Sequence, residues 1–582
     1  MSEVLTAAQM KAIEAAAIAS GAVTGLELME RAGAGVVAAV LAEWPEMALS
    51  PQRAVVLCGP GNNGGDGFVV ARLLAARGWA VEVYLYGDAG KLPADARVNY
   101  ERWCEVGEVR GLSSAEDSCT QEDVRSIYGS DVLIDALFGI GLNKSAPFLE
   151  PLSYVLHKCF NDALWWVGEQ SSPKIVAIDQ PSGLCADSGR EIVDEEGYEL
   201  MEPYAAYLTV TFHRPKLGHF LSDGPRLCTK LSVVDIGLKA SAAEGWVSRH
   251  PMREGTFLTR SPKEDFEVWQ SLRRSENGHK FSYGHAAVLS GGHGRAGAAR
   301  LCARGALRMG AGLVTVVSPP DAMAENAARL DAIMLRCVTS ASDLSEFLSD
   351  PRISAICLGP GFGLGQSTRE VVAKVVETNK RVVLDADALT SFSDDPNELF
   401  RLIWATNQQK GPGPREADIA RGWPGRDPKE LIARFMAPKT NVVLTPHAGE
   451  FARLFPDIAE KLAAPAVKGP AYSKVDATRE AAARAGCVVL YKGADTVIAS
   501  PDGRCSINAA VYERSAPWLA TAGSGDVLAG FITGLLARGF QPMNAAETAA
   551  WLHVECARSF GPGLIAEDLP EELPKVLRAL GV

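Results

Sequence analysis

The sequence predicts two consecutive α/β domains, each built on a largely parallel sheet. Three observations predict it. A chain of 582 residues exceeds the roughly 250–300 residues at which a single hydrophobic core stops growing. Short apolar runs alternate with alanine-rich helical stretches along nearly its whole length, the pattern of parallel strands joined by crossover helices. Between about 240 and 276 the sequence turns polar and loses periodicity. The expected organisation is therefore a domain over 1–240, a linker over 241–276 and a second domain over 277–582.

The strands of the first half are expected at RAVVLC (53–58), VEVYLYG (81–87), DVLIDALFG (131–139), KIVAIDQPSG (174–183), YLTVTF (207–212) and KLSVVDIG (230–237). Those of the second are expected at HAAVLSGG (285–292), LVTVVSP (313–319), ISAICLGPG (353–361), RVVLDADAL (381–389), NVVLTPHAGE (441–450) and CVVLYKGADTVIAS (487–500). NQQKGPGPREADIARGWPGRDPKE (407–430), rich in Gly, Pro and charge, reads as a surface insertion. NDALWWVGEQSS (161–172) reads as a smaller one.

Composition narrows the class. With 47% hydrophobic and 22% charged residues the chain has a globular balance. Its first residues carry charge early and lack a long apolar core, so no signal peptide is expected. No run of about 18 charge-free apolar residues predicts a membrane span. A net charge of −12 argues against a nucleic-acid binder. It leaves nucleotides open, because helix N-termini can hold a phosphate locally. The 12 cysteines are scattered without a CxxC pair. That usage suits reduced thiols, mostly packed in the core, in a cytoplasmic compartment.

The first half concentrates its chemistry at strand ends. Gly59, Gly61 and Gly64 of GPGNNGGDG fit the dinucleotide pattern GxGxxG. Glu82, roughly 20 residues on, could stand as the ribose-binding acid of a dehydrogenase. But the loop also carries Asn62, Asn63 and Asp66, which a hydride-transfer fingerprint does not need, and no His or Tyr–Lys pair for hydride chemistry is evident. The third strand ends in Asp135 and the glycine turn ALFGIGLNKS; the fourth ends in Asp179, Pro181, Ser182 and Gly183. Asn63, Asp135 and Ser182 offer hard oxygen donors suited to an alkali or alkaline-earth cation. Asp179, on a rigid strand end, is placed for proton transfer. Asp66, beside the expected helix start, is equally placed to cap it.

In the second half TAGSGDVLAGFITGLLARG (521–539) leads small residues directly into a helix, with Asp526 at its first turn. Such an entry makes an anion hole, and a carboxylate beside it can deprotonate a hydroxyl that attacks a phosphoryl group. His447 in LTPHAGE lies at a strand end, and Lys492 in YKGADT is placed to meet a phosphate. His553, in a helical run, reads as core or surface.

Taken together, these motifs resemble those of the bifunctional NAD(P)H-hydrate repair enzymes, which fuse an NAD(P)HX epimerase to an ADP-dependent (S)-NAD(P)H-hydrate dehydratase. GPGNNGGDG, DALFGIGL, DQPSGL and TVTFHRPKLG look like the epimerase half; GGHGRAGAA, GPGFG, LDADAL, LTPHAGE, YKGADT and GSGDVLAG look like the dehydratase half. The resemblance implies a Rossmann-like first domain and a ribokinase-like second domain, with the nicotinamide nucleotide as substrate rather than tool. It implies that Asn62, Asn63, Gly64, Gly65, Asp66, Gly139, Ile140, Gly141, Leu142, Asn143, Lys144, Ser145 and Asp179 bind the hydrate in the first half. Asn63, Asp135 and Ser182 would hold a potassium ion. In the second half Ala298, Gly361, His447 and Asp526 would contact the hydrate. Lys492, Gly493, Ala494, Asp495, Thr496 and Gly525 would bind the adenine nucleotide, ADP with magnesium. Asp179 and Asp526 would be the catalytic residues. The expected partners are NADHX, NADPHX and ADP, with no nucleic acid and no membrane, in a cytoplasmic homo-oligomer. The alternative is a ribokinase-like small-molecule kinase fused to a nucleotide-binding, non-catalytic module, since GSGD is shared with such kinases.

Overall fold

The computed structural model describes residues 3–112, 126–142, 173–193, 204–238, 255–275, 277–408 and 440–582. The chain separates into two units: Glu3–His250 with Ala464–Ser473, and Pro251–Ala463 with Lys474–Val582.

The N-terminal unit is built on strands β1 (Arg53–Cys58), β2 (Ala80–Tyr86), β3 (Val109–Leu112), β4 (Val132–Ala136), β5 (Lys174–Ile178), β6 (Leu208–Phe212) and β7 (Leu231–Val234). They pair in the order β3-β2-β1-β4-β5-β6-β7, every neighbour parallel. Strands covered on both faces are mostly apolar, and β4 (VLIDA) and β6 (LTVTF) are buried at every position, with Asp135, Thr209 and Thr211 as their buried polar residues. Strand order reverses between β1 and β4, so ligands are expected beyond the carboxyl ends of those two strands.

Helices α1 (Ala7–Ala19) and α2 (Gly25–Glu43) each begin with a capping box, Thr6 with Gln9 and Thr24 with Glu27. Helix α3 (Asn62–Ala75) follows β1 with almost no loop, and α4 (Ala94–Cys104) packs beside it. Glycines permit that tight entry. A Cβ on Gly59 would lie 1.7 Å from the Leu137 carbonyl oxygen, and one on Gly64 would lie 2.0 Å from that of Gly59. A Cβ on Gly67 would meet Ala136 at 2.7 Å, so α3 lies directly on the sheet.

The C-terminal unit contains β8 (Thr256–Leu258), β9 (His285–Leu289), β10 (Leu313–Ser318), β11 (Met334–Cys337), β12 (Ile353–Leu358), β13 (Arg381–Leu384), β14 (Val442–Leu444), β15 (Val488–Tyr491), β16 (Asp495–Ala499) and β17 (Cys505–Ala509). Their order is β8-β17-β16-β15-β14-β13-β12-β9-β10-β11. The run from β15 to β11 is parallel, while β15–β16 and β16–β17 are antiparallel. CVVLYKGADTVIAS is thus a hairpin rather than one strand: the chain turns at Lys492–Ala494, where Gly493 interrupts the β-branched run. Strands β3, β11 and β17 escape the apolar pattern because they are short or carry alternating polar residues.

The polar stretch expected as a linker is partly built into this unit. Residues 239–254 and 276 lie outside the described residues. β8 pairs in parallel with β17, and helix α5 (Phe266–Leu272) buries Leu272 in the core. A few apolar side chains among charges suffice to anchor such short pieces, and periodicity over a longer window does not register them.

Helices α6 (Gly297–Arg308) and α8 (Ser524–Ala537), with α7 (Ala448–Leu454) between them in sequence and α9 (Pro542–Phe560) after, position the chemistry. α6 and α8 run side by side in the same direction. A Cβ on Gly530 would lie 2.2 Å from the Cys302 carbonyl oxygen, and one on Gly534 would lie 2.6 Å from that of Ala306. One turn back, this register sets Ala298 beside Asp526, so two helix N-termini open onto one place.

Ala464–Ser473, flanked by residues of the C-terminal unit, belongs to the N-terminal unit. There Val193 donates its N–H to the Ala466 carbonyl at 3.1 Å and Arg190 Nη2 donates to that of Ala464 at 2.7 Å. Ala466 and Ala471 close a small apolar cluster with Cys185, Ile192 and Leu142. All cysteines among the described residues are free and most are buried. Among the same residues no helix is long and apolar enough to cross a membrane.

Candidate active sites

In the N-terminal unit β4 and β5 deliver two aspartates to one rim. Asp135 is fully buried, and its carboxylate accepts four hydrogen bonds. They come from Leu137 N (3.1 Å), Ser182 Oγ (2.7 Å), Ser182 N (2.8 Å) and the Tyr204 hydroxyl. Four donors fill the four lone-pair positions of a carboxylate. Burial pushes the Asp135 pKa up and these hydrogen bonds oppose the rise. The Ser182 hydroxyl also accepts from Phe138 N at 2.9 Å, which ties both residues to the Leu137–Ile140 turn.

Asp179 follows β5 in the left-handed region, with φ at 68°, a conformation that persists only where the surroundings impose it. Here they do. Its N–H donates to Val210 O at 2.7 Å, and its carbonyl receives His219 Nε2 at 2.9 Å. Its Oδ1 accepts from Lys216 Nζ (2.8 Å) and Thr211 Oγ1 (2.7 Å), and Oδ2 faces Ile140 N at 3.4 Å. Lys216 is itself fully buried and also donates to Thr211 Oγ1 and Phe212 O. Burial alone would raise the Asp179 pKa. The Lys216 ammonium and the hydrogen bonds outweigh it and hold the carboxyl below the usual carboxylate range. His219 is pushed down to about 4 by burial and by Lys216, so it is neutral; Nδ1 accepts from Lys216 N and Nε2 serves Asp179.

Helix α3 brings the remaining groups. A Cβ on Gly139 would touch Asn63 Oδ1 at 2.7 Å and Asp179 Oδ2 at 3.3 Å, so these side chains border the same turn. Asn63 Nδ2 is buried without an acceptor among the described residues. Asn62 and Gly141 lie exposed at the rim. Asp66 does not cap α3. The cap position is Gly61, which makes no side-chain cap bond, and Asp66 sits in the second turn. Its pKa is pushed well up by burial, then by the like charges of Asp179 and Glu14. Asn143, Lys144 and Ser145 lie outside the described residues. Glu82 is not free for a ribose: it sits within β2, held by Arg53 at 2.7 Å and Arg110 at 3.0 Å. Sequence reasoning missed Lys216, Thr211, His219 and Tyr204. Lys216 stands close to His213, Arg214 and His219, so the local sequence reads as polar and does not announce a buried ammonium paired with a carboxylate.

In the C-terminal unit α8 starts at Gly523, the cap residue, in the left-handed region (φ 87°). Asp526, in the first turn, is half-buried and its pKa is pushed up to about 7. Burial is the first cause and Asp385 the second, with Asp387 and Glu450 adding and Lys492 opposing. Lys492 Nζ is 2.8 Å from Asp385 Oδ1 and 3.9 Å from Glu450 Oε2. It would stand 3.5 Å from a Cβ on Gly525. His447 caps α7. Its Nδ1 accepts from Gly449 N (3.0 Å) and Glu450 N (3.4 Å), while the His447 N–H donates to Glu450 Oε2 at 2.9 Å. Ala298 and Gly361 adjoin: a Cβ on Gly361 (φ 62°) would lie 3.4 Å from that of Ala298. Gly493 and Ala494 are exposed, and Thr496 Oγ1 closes the turn onto Gly493 O at 2.6 Å. Asp495 is held by Lys474 at 2.6 Å. His553 is buried on α9, and its Nε2 meets Ser524 O at 2.9 Å, which steadies the first turn of α8. Asp385, Asp387, Glu450 and Lys474 were not singled out from sequence, although LDADAL and LTPHAGE contain three of them. Among the described residues no group of three His, Cys, Asp or Glu side chains could hold a metal.

Residues 25–218 match the family described as YjeF-related protein N-terminus, and 286–407 with 427–577 match NAD(P)H-hydrate dehydratase. A bifunctional NAD(P)H-hydrate repair enzyme Nnr from Moorella thermoacetica is 32% identical over 99% of this chain and 97% of its own. Another, from Coxiella burnetii, is 30% identical over 96% of each. An NAD(P)H-hydrate epimerase from Roseobacter litoralis is 45% identical over 41% of this chain and 100% of its own.

The ion pair generates a prediction. Lys216→Met leaves the Asp179 carboxylate buried without its cation, and breaking such a pair typically costs about 3–5 kcal/mol. In the wild type the Asp179 pKa is depressed, so the pair's contribution is present above the unfolded pKa and lost as pH falls through the folded one. In the variant the unpaired carboxyl is relieved by protonation. Urea titrations should therefore show a deficit that is largest near pH 7 and shrinks toward pH 4; a pH-independent deficit contradicts the pairing.

Proposed function

Because the chain belongs to the family of bifunctional NAD(P)H-hydrate repair enzymes, we propose that its N-terminal unit interconverts the R and S hydrates of NADH and NADPH. The C-terminal unit dehydrates the S form at the expense of ADP. The observation that carries this reading is that each unit holds an aspartate at a glycine-rich rim, Asp179 after β5 and Asp526 in the first turn of α8, in opposite electrostatic settings.

In the first unit Asp179, kept anionic by Lys216, removes the proton from the hydroxyl of the hydrated ring carbon. That carbon also bears the ring nitrogen. The C–N bond can then open to an aldehyde, with the electron pair held by the nitrogen and its conjugated carboxamide. Rotation and re-closure on the other face, with the proton returned from Asp179, yield the other epimer. Asn62 to Asp66 and Gly139 to Leu142, with Asn143, Lys144 and Ser145 after them in sequence, would hold the hydrate; Asn62 and Gly141 are exposed, while Gly64 and Gly65 are buried and would act through the close packing of α3 that they allow.

Potassium is the cation proposed for Asn63, Asp135 and Ser182. Their donors are oxygens, with one formal charge, which favours a weakly held monovalent ion. Turning over the Asn63 amide puts its oxygen where Nδ2 lacks an acceptor. At Asp135, already filled by four donors, the freely rotating Ser182 hydroxyl is the one to yield. Such an ion would supply positive charge to an anionic ligand at this rim.

In the second unit Asp526 takes the proton of the hydrate's ring hydroxyl. That oxygen attacks the terminal phosphoryl of ADP and AMP leaves; a magnesium ion bound with the nucleotide would offset the negative charge of its phosphates. The ring nitrogen's lone pair expels phosphate, and loss of a proton from the adjacent ring carbon, taken up by the departing phosphate, restores the dihydronicotinamide. The convergent N-termini of α6 and α8 and the Lys492 ammonium meet the charge that develops. Lys492 to Thr496 with Gly525 hold the nucleotide, and Ala298, Gly361 and His447 the hydrate. A pKa of about 7 suits a general base at neutral pH.

Mixed hydrate epimers with ADP test the division of labour. Asp526→Ala should abolish NADH recovery, by roughly 10²–10⁴-fold, while epimers still interconvert. Asp179→Ala should repair only the S form quickly. Loss of both activities in either folded variant refutes two independent sites. Heavy oxygen placed in the hydrate's hydroxyl should appear in the released phosphate; label found only in water rules out phosphoryl transfer. Exchange of potassium for a bulky organic cation should slow epimerisation, and a transition metal bound by Asn63, Asp135 and Ser182 would contradict that assignment.

A further inference from the structure

The dehydratase site spends its lysine in an unexpected place. Lys492, at the end of β15, could neutralise Asp526 on α8. Instead its ammonium lies 2.8 Å from Asp385 Oδ1 and reaches Glu450 at 3.9 Å. Asp385 is 1% exposed. It stands where β13 ends, and its place is set by backbone. A Cβ on Gly359 would fall 1.7 Å from the Asp385 carbonyl oxygen. The next residue, Ala386, is held at φ 48° and ψ −117°, a region that a residue with a Cβ rarely adopts. The bend turns Asp387 to accept from Gly363 N at 2.8 Å, so the two aspartates flanking Ala386 serve one rim.

We propose that Asp385 is a positioning residue which, by holding Lys492 in an ion pair and adding its own negative charge, keeps Asp526 basic enough to take the hydrate's proton. This deepens the dehydratase reading and rests on it. Without Asp385, the Lys492 ammonium would be free to stabilise the Asp526 carboxylate, making it a weaker base. The groups around Asp526 are Asp385 and Asp387 beyond β13, Glu450 on α7, Lys492 on β15, and Cys302 on α6. His553 on α9 reaches Ser524 within the same first turn and is neutral, pushed down to about 4 by burial. Of the negative neighbours Asp385 acts most strongly on Asp526, after burial itself.

The test is the pH profile of dehydration, as kcat/KM for the S hydrate at saturating magnesium and ADP. In the wild type activity should rise with pH through a midpoint near 7. Asp385→Asn keeps an acceptor for Lys492 but removes the charge. Its midpoint should fall by about one unit or more, the shift a nearby charge produces, and its alkaline plateau should drop. Asp385→Glu, which restores the charge, should restore the wild-type midpoint. An unchanged midpoint in Asp385→Asn with only a lower plateau overturns the proposal, because a merely structural role moves rate and not the profile. Should Asp385→Asn not fold, carboxyl ¹³C NMR of the wild-type protein decides: Asp526 should titrate near 7, and an Asp526 carboxyl already fully ionised at pH 5 overturns the proposal. A wild-type enzyme that does not consume the S hydrate with ADP would instead refute the dehydratase reading itself.

Discussion

A buried carboxylate must find a cation or give up its charge, and both units are organised around that constraint. Strand ends, and in the C-terminal unit also the first turn of α8, carry aspartates to a rim, and at each rim a lysine pairs with one of them. In the N-terminal unit the lysine sits directly on the aspartate that faces the open turn. In the C-terminal unit it sits on a neighbour and leaves the facing aspartate short of positive charge. The same two residue types thus yield a carboxyl below its ordinary range and another raised to about 7. The difference lies in which strand end supplies the partner, not in the motif that carries the aspartate.

Much of this was legible in the sequence. The apolar runs marked most strands because two-sided burial leaves little room for polar residues, and the glycine-rich turns marked the strand ends that carry chemistry. What was not legible depended on non-local pairing. Lys216 pairs with Asp179 across 37 positions and Lys492 with Asp385 across 107, distances at which periodicity says nothing. Asp66 read as a possible cap because it stands near a helix start; the glycine contacts draw the helix start back to Asn62 and leave Asp66 inside it. β8 and α5 stayed hidden in a polar stretch because each is anchored by only a few apolar side chains.

The glycines of GPGNNGGDG also settle how a dinucleotide-type fingerprint can serve without hydride transfer. Gly59, Gly64 and Gly67 are required by the approach of α3 to the sheet, whatever the ligand. Only Gly61, with nothing within 4 Å of its would-be Cβ, borders open space. Chemistry is then decided by what flanks the loop. Here that is Asn63 and an anionic Asp179, not a ribose-binding acid, since Glu82 is spent on two arginines.

The discontinuity of the N-terminal unit has a consequence for its synthesis. Its sheet is complete once β7 is made, but ten of its residues, Ala464–Ser473, are translated more than two hundred residues later. Domains emerging from the ribosome generally fold as units, N-terminal first, at about 5–20 residues per second. The nascent first unit must therefore stand for tens of seconds with the Cys185–Ile192 side of its small apolar cluster uncovered. Its maturation is timed by the ribosome's progress through the second half of the message.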